Sequence, residues 1–247
     1  MVDINKAAMD NTLQPNSVES CITQRKTCKV ILPIDLRQQQ QASWSQAHQD
    51  ELVSMLSASA NAPFHKKAHE QYCSNKAAGA MDAPMPWRFH VVGSERCTEL
   101  LAFLKEQTEA QNADPKWARA WQSKIKEMLS GCGVLVQATW LPDPMPENTS
   151  SVQEEPLFSD KNIEHVAAAA SAVQNLLLAA QSHGWSSYWS SGGILRNDDV
   201  FKYLNIDTSE KLLGSIFLNP KPHPEARLID GGLRDQRGDL SGWVRWA

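Results

Sequence analysis

The stretch KNIEHVAAAASAVQNLLLAAQSHGWSSYWSSGG, Lys161 to Gly193, decides the fold. From Lys161 to Ser182 it is rich in alanine and leucine, strong helix formers, and it predicts one long helix. Because this segment is apolar nearly all round, the helix is expected to be buried. Gly184 stands where a C′ residue ends a helix. Ser186 to Ser190 reads as a strand and Gly192-Gly193 as the turn behind it. Serines and a glycine at the end of a strand, here Trp189-Ser190-Ser191-Gly192, expose backbone N–H groups and let a planar ligand approach closely. A generic turn explains the same residues equally well.

Outward from this stretch the pattern keeps alternating helix and strand. Asp198–Tyr203 reads as a short helix and Leu212 to Leu218 as a strand. On the N-terminal side, Gly133 to Trp140 is apolar and partly β-branched, as a central strand would be. Trp117 to Met128 predicts an amphipathic helix, residues 95–111 another, and Phe89 to Gly93 a short strand. Trp44, Ala47, Glu51, Leu52 and Met55 suit a helix of about four turns that closes near Ala62-Pro63. Residues 64–84 are irregular, and 142–158, with four prolines, form a solvated loop. Ser17 is placed to cap a first helix whose apolar stripe, Val18, Cys21 and Ile22, leads to Arg25-Lys26-Thr27. Residues 1–16 are polar, end near Pro15, and are expected to be a mobile leader. No internal repeat is present.

The chain has 247 residues, 42% hydrophobic and 21% charged, which is ordinary for a globular protein and enough for a sizeable core. A net charge of −4 provides no basic field for nucleic acid or anionic lipid. The five cysteines form no CxxC pair, and the N-terminus lacks an apolar signal region. Free thiols in a reducing compartment, hence a cytoplasmic protein, are the expectation. No run reads as the ~18 apolar residues of a membrane span.

Three constellations could carry chemistry. His65, His69 and Cys73 recur every four residues, so a helix would bring them to one face, and a metal-binding protein is one reading. Eight residues of helix rise about 12 Å, however, while zinc ligands lie about 2.0–2.3 Å from the metal. All three cannot easily share one ion, no second cluster completes a site, and no metal ligand is assigned. Arg25-Lys26-Thr27 could hold a phosphate through paired charge-assisted bonds, yet cations at a helix C-terminus also complement its dipole. The tail, Arg237-Gly238-Asp239-Leu240 leading to Trp243 and Trp246, is apolar enough to call for a partner surface. The GxSxG, P-loop, GxGxxG and HExxH motifs do not occur, so hydrolase, NTPase and Rossmann readings lack their marks.

Taken in order, these pieces resemble the nitroreductase family of FMN-dependent oxidoreductases. Arg25-Lys26-Thr27 matches the basic end of that family's first helix. Ala62-Pro63-Phe64-His65 and Pro86-Trp87-Arg88-Phe89-His90-Val91-Val92 match its Ala-Pro-x-His and Pro-Trp elements, separated here by an insertion at about 66–84. Ala172 to Ala180 with Gly184 and Trp189 to Gly192 resembles its most recognisable stretch. Leu213 to Asn219 resembles its last core strand, and Arg237 its arginine-led C-terminal segment.

The resemblance implies an α+β fold over residues 17–247 as one domain, with a mixed, mainly antiparallel sheet flanked by helices in an intertwined homodimer. It implies FMN held by Arg25, Lys26, Thr27, His65, Trp189, Ser190, Ser191, Gly192 and Arg237. It also implies NAD(P)H as co-substrate and hydride transfer through the flavin to a nitroaromatic, quinone or similar small acceptor. No protein side chain is required as nucleophile or acid–base catalyst. Met85 stands where relatives carry Gln or Asn to bond the flavin ring, and no arginine follows Trp189 as it does in some relatives. With those departures and the insertion, a flavin-binding or storage protein with little turnover is the alternative.

Overall fold

The computed structural model describes residues 17–42, 44–74, 81–110, 125–144 and 159–246. Ser17, in extended backbone, accepts the Ser20 N–H with its hydroxyl and so starts helix α1, Val18–Gln24. Strand β1 is Cys28–Ile31, followed by α2, Arg37–Ala42, and α3, Gln46–Ser59. The chain continues through β2 (Trp87–Val92), α4 (Ser94–Ala110), α5 (Ile125–Gly131) and β3 (Val134–Trp140). It ends through α6 (Asp160–Ser182), β4 (Ser186–Ser190), α7 (Asp198–Tyr203), β5 (Lys211–Asn219) and β6 (Arg227–Asp230).

Four strands form a sheet in the order β2-β3-β5-β4, and β1 pairs with β6 in a separate ribbon. Every described pairing is antiparallel. The central strand β3 is buried along its whole length, which is why it reads as an unbroken apolar run. Alternate residues feed two cores. Val134, Val136, Ile216 and Leu218 pack against Leu52 and Met55 of α3 and Val173, Leu176 and Leu177 of α6. Leu135, Val92 and Phe217 face Leu100 and Leu104 of α4 and Leu129 of α5. Helices packed on an antiparallel sheet make this an α+β fold, as the family resemblance implies, with every described pairing antiparallel where that resemblance implied a mixed, mainly antiparallel sheet.

Four readings change. Helix α6 is buried on one face only: Ala168, Ala169, Ala172, Val173, Leu176 and Ala180 are covered, whereas Ile163 is exposed. Its length and mean hydropathy would suffice to cross a membrane, contrary to the absence of a span in the sequence reading, but its buried face packs on α3 and the sheet as that of a core helix does. β1 and β6 have no signature in the sequence pattern; each has four residues, too few for period-two alternation to stand out. His65 and Lys66 lie in a bend, and His69 caps a single 3₁₀ turn, Glu70–Tyr72. No helix exists there to gather His65, His69 and Cys73. The mobile leader, most of the Trp117–Met128 helix and most of the 142–158 loop fall outside the described residues.

Candidate functional site

The end of α1 is built by a residue from the far end of the chain. A helix leaves its last carbonyls unsatisfied. Here the Arg234 guanidinium, from a 3₁₀ turn at Leu233–Gln236, donates to the carbonyl of Arg25 at 2.8 Å, to that of Gln24 at 3.4 Å, and to that of Thr23. Arg234 thereby comes to lie beside the half-buried Arg25. Burial first, and then the neighbouring Arg234 cation, lower the Arg25 pKa from its ordinary value. Arg25 has no carboxylate partner among the described residues. Two adjacent guanidiniums of this kind are suited to an anion.

Lys26 is exposed and pairs with the Asp230 carboxylate. Their hydrogen bond raises the Lys26 pKa and lowers that of Asp230. The Thr27 carbonyl accepts the Gly231 N–H at 2.8 Å, continuing the β1–β6 pairing past its register end at Cys28 and Asp230. Arg237 is exposed at the end of the Leu233–Gln236 turn and has no hydrogen bond or ion pair among the described residues. The cation drawn to the α1 terminus is therefore Arg234, which no local motif marks because its role depends on a contact across 210 positions.

The second group of candidates closes β4. Ser190 pairs with Ser215 of β5, and the chain turns at Gly192, whose φ of 96° a residue with a Cβ rarely adopts. A side chain there would also collide with Leu212 and approach the Ser215 Oγ to 3.3 Å. The Gly192 N–H is held by the Ser190 Oγ at 3.2 Å. The Arg196 guanidinium fastens the turn from outside, donating to the Leu212 carbonyl at 2.7 Å and to the Ser191 carbonyl at 2.5 Å. Trp189 faces the opposite side of the sheet, where it packs against the α3–α6 core.

Strand β4 links the two groups. At its first residue, Ser186, it meets the Cys28 thiol, which also lies beside the Asp230 carboxylate; burial, more than that charge, pushes the thiol pKa up. Cys28 follows Thr27 directly. The cationic terminus of α1 and the glycine turn thus lie at opposite ends of one five-residue strand. His65 is exposed and joins neither group by a hydrogen bond among the described residues. Its segment is anchored by Ala62, buried beside Trp87, and by Phe64, whose ring meets that of Trp87 edge-on at 5.7 Å. Met85 packs in the same apolar cluster. Among the described residues, no group of three or more His, Cys, Asp or Glu side chains is placed to hold a metal ion.

A sequence model described as the Nitroreductase family matches residues 46–218. That span includes His65 and Trp189–Gly192 but neither Arg25–Thr27 nor Arg234. Among solved structures, a nitroreductase-like family protein from Bacillus cereus superposes with a TM-score of 0.54 at 16% identity, over 94% of this chain and 100% of that one. A nitroreductase with bound FMN from Bacteroides fragilis gives 0.55 at 18% identity, over 94% and 98%. An FMN and NADPH-dependent nitroreductase from sphigopyxis sp. strain HMH gives 0.55 at 12% identity, over 94% and 99%. At such identities the likeness is one of fold. No curated protein matches the sequence.

Proposed function

The chain belongs to the nitroreductase family, and from that premise we propose that it is an FMN-dependent oxidoreductase passing reducing equivalents from NAD(P)H to a small acceptor such as a nitroaromatic or a quinone. Bound FMN would supply the redox chemistry through its ring system, while the protein positions and tunes it. The chain's own contribution is a charged end and a close-fitting end. Arg25 and Arg234, with Lys26 and Thr27 beside them, suit a phosphate carrying about −1.5 to −2 charges. The Ser190-Ser191-Gly192 backbone offers a surface on which a planar ring can rest without meeting a side chain at Gly192. His65 would complete the site from the segment anchored on Trp87; its exposed imidazole has no hydrogen bond among the described residues to give up first.

The observation that carries this reading is the placement of the two groups toward opposite ends of β4, the cationic one through the contact of Cys28 with Ser186. Its four residue steps span about 13 Å, a reach suited to an elongated ligand with an anionic tail and a planar head. We further propose a homodimer, since Trp243 and Trp246 are left uncovered, and a cytoplasmic location, where the five free thiols would stay reduced. The test is spectroscopic. Purified protein should absorb near 450 nm (about that wavelength, from the cofactor's own chemistry) and bleach anaerobically when NADH or NADPH is added. A protein that takes up no FMN at all would overturn the proposal. Binding without bleaching would favour the flavin-storage reading, which one observation supports: Met85, the residue before Pro86-Trp87, is a packing group in an apolar cluster and offers no polar side chain.

A further inference from the structure

The register of the main sheet places His90, Gln137, Ser215 and Ser190 in one row across all four strands: His90 opposite Gln137, Gln137 opposite Ser215, Ser215 opposite Ser190. Directly opposite residues share a face of the sheet. The neighbouring row on that face, Val92, Leu135, Phe217 and Tyr188, is apolar and supports the α4–α5 core. A polar row beside it therefore calls for an explanation, because buried polar groups cost stability unless they are bonded.

The row is connected toward the Gly192 turn. Gln137 and Ser215 are both 0% exposed, and the Ser215 hydroxyl donates to the Gln137 Oε1 at 2.5 Å. The same Ser215 Oγ lies behind Gly192, at 3.3 Å from where a Cβ would sit, and Ser190 Oγ accepts the Gly192 N–H. The Gln137 Nε2 remains buried with no partner among the described residues. An unspent amide of this kind is a cost that core packing alone does not repay; an aliphatic side chain would fill the position more stably. The other end of the row is fixed separately: the His90 Nε2 meets the Glu210 carboxylate at 2.8 Å, and Thr139 donates to the same oxygen.

We propose that Gln137 and Ser215 are positioning residues, which hold the Ser190–Gly192 backbone in the geometry that meets the cofactor. They act from behind: the Gln137 amide orients the Ser215 hydroxyl, and the hydroxyl supports Gly192, whose own N–H is turned onto Ser190. The role at the cofactor rests on the proposed function above; the support of the turn does not.

The test separates the two. Ser215→Ala and Gln137→Met remove the polar atoms with little change in volume, and Ser130→Ala removes an equally buried hydroxyl whose bond goes to the Lys126 carbonyl in α5. Amide hydrogen exchange is measured on peptides spanning Ser186–Arg196 in the full chain as purified, and the flavin absorption maximum and reduction potential are measured after FMN loading. Exchange at Ser190–Gly193 should accelerate about tenfold in Ser215→Ala and Gln137→Met, as loss of one buried hydrogen bond predicts, with no change in Ser130→Ala. Both turn variants should also shift the flavin maximum and potential. Unchanged exchange in Ser215→Ala overturns the inference, and that single-atom change decides the matter should Gln137→Met fail to fold. Faster exchange with an unshifted flavin spectrum overturns the positioning role. Faster exchange in a protein that takes up no FMN leaves the support of the turn standing and removes the proposed function instead.

Discussion

The indole of Trp189 fills the space that a side chain at Gly214 would need. A methyl group at Gly214 would stand 2.5 Å from the Trp189 Cδ1 and 2.8 Å from the Ser190 carbonyl oxygen. Gly214 precedes Ser215 on β5 and sits beside a bulge where the β3–β5 register shifts between Ala138 and Thr139. The close approach of β4 to β5 at the start of the glycine turn thus depends on one missing Cβ.

Gly214→Ala should therefore force Trp189 off its position. Overpacking of this kind costs about 1–3 kcal/mol, read as a lower melting temperature. Flavin content per protein should fall further than stability alone explains, because Ser190 moves with Trp189. A variant with unchanged melting and unchanged flavin would show that the indole can rotate away freely.

Much of this was legible in the sequence, and the limits are physical. Long elements with strong periodicity, α4 and α6, and the buried strand β3 were readable because their own residues determine them. The same holds for Ser17 and Gly184, whose conformations follow from local chemistry. Contacts between distant segments were not readable. Arg234 is drawn to α1 by carbonyls more than 200 positions away, and nothing in Leu-Arg-Asp-Gln announces it. Arg37, next to a run of glutamines, is buried and donates to the carbonyls of Leu129, Ser130 and Cys132, at 2.8, 2.9 and 2.6 Å. The row from His90 to Ser190 appears only once strand register is known.

Arg37 provides a stability prediction. Its guanidinium binds the end of α5 and also the Ser94 carbonyl at the start of α4, at 2.5 Å. Arg37→Met keeps the stem but leaves those carbonyls unsatisfied in a buried site, and should cost about 3 kcal/mol. Denaturant unfolding checks this, and a loss below about 1 kcal/mol would mean that water replaces the arginine.

The proposed phosphate site is tested by three arginines compared under one protocol. Charge-assisted bonds contribute about 1.5–3 kcal/mol, so Arg25→Ala should weaken FMN binding about tenfold or more. Arg234→Ala should do at least as much, since it also releases the end of α1. Arg237→Ala, at an exposed position with no described hydrogen bond, should have the smallest effect. Titration of each variant with FMN gives the order, and a larger loss at Arg237 than at Arg234 would return the role to the C-terminal arginine that the family resemblance favours.

Asp230 opposes any phosphate bound here, because its carboxylate occupies Lys26. Asp230→Asn should tighten FMN binding a few-fold by releasing that cation. The pH dependence has a defined sign. Lys26 lowers the Asp230 pKa below 3.8, so the carboxylate stays ionised as the solution is acidified through the ordinary range. The contribution of Asp230 to that difference should thus persist through neutral and mildly acidic pH, although the difference itself narrows as the phosphate takes up its second proton near about pH 6. A difference already absent at about pH 8, where the phosphate is fully ionised, would mean that another group controls Lys26.

The C-terminal segment carries the last prediction. Trp243 is 64% exposed, Trp246 76% and Leu233 81%, so three large apolar side chains project from a stretch that is tied to α1 through Arg234. Scattered apolar residues on a surface need no explanation, but two tryptophans within four positions form a patch that water covers poorly. A second copy of the chain would cover them, and because the same stretch sits beside Arg25, assembly and cofactor retention should be coupled. Deleting residues 240–247 should lower dimer content in sedimentation and flavin-to-protein absorbance in the same sample, while far-ultraviolet circular dichroism stays close to that of the full chain, since no strand of the main sheet lies in the deleted part. A truncated protein that remains dimeric and fully flavinated would show that the tryptophans serve only their own subunit.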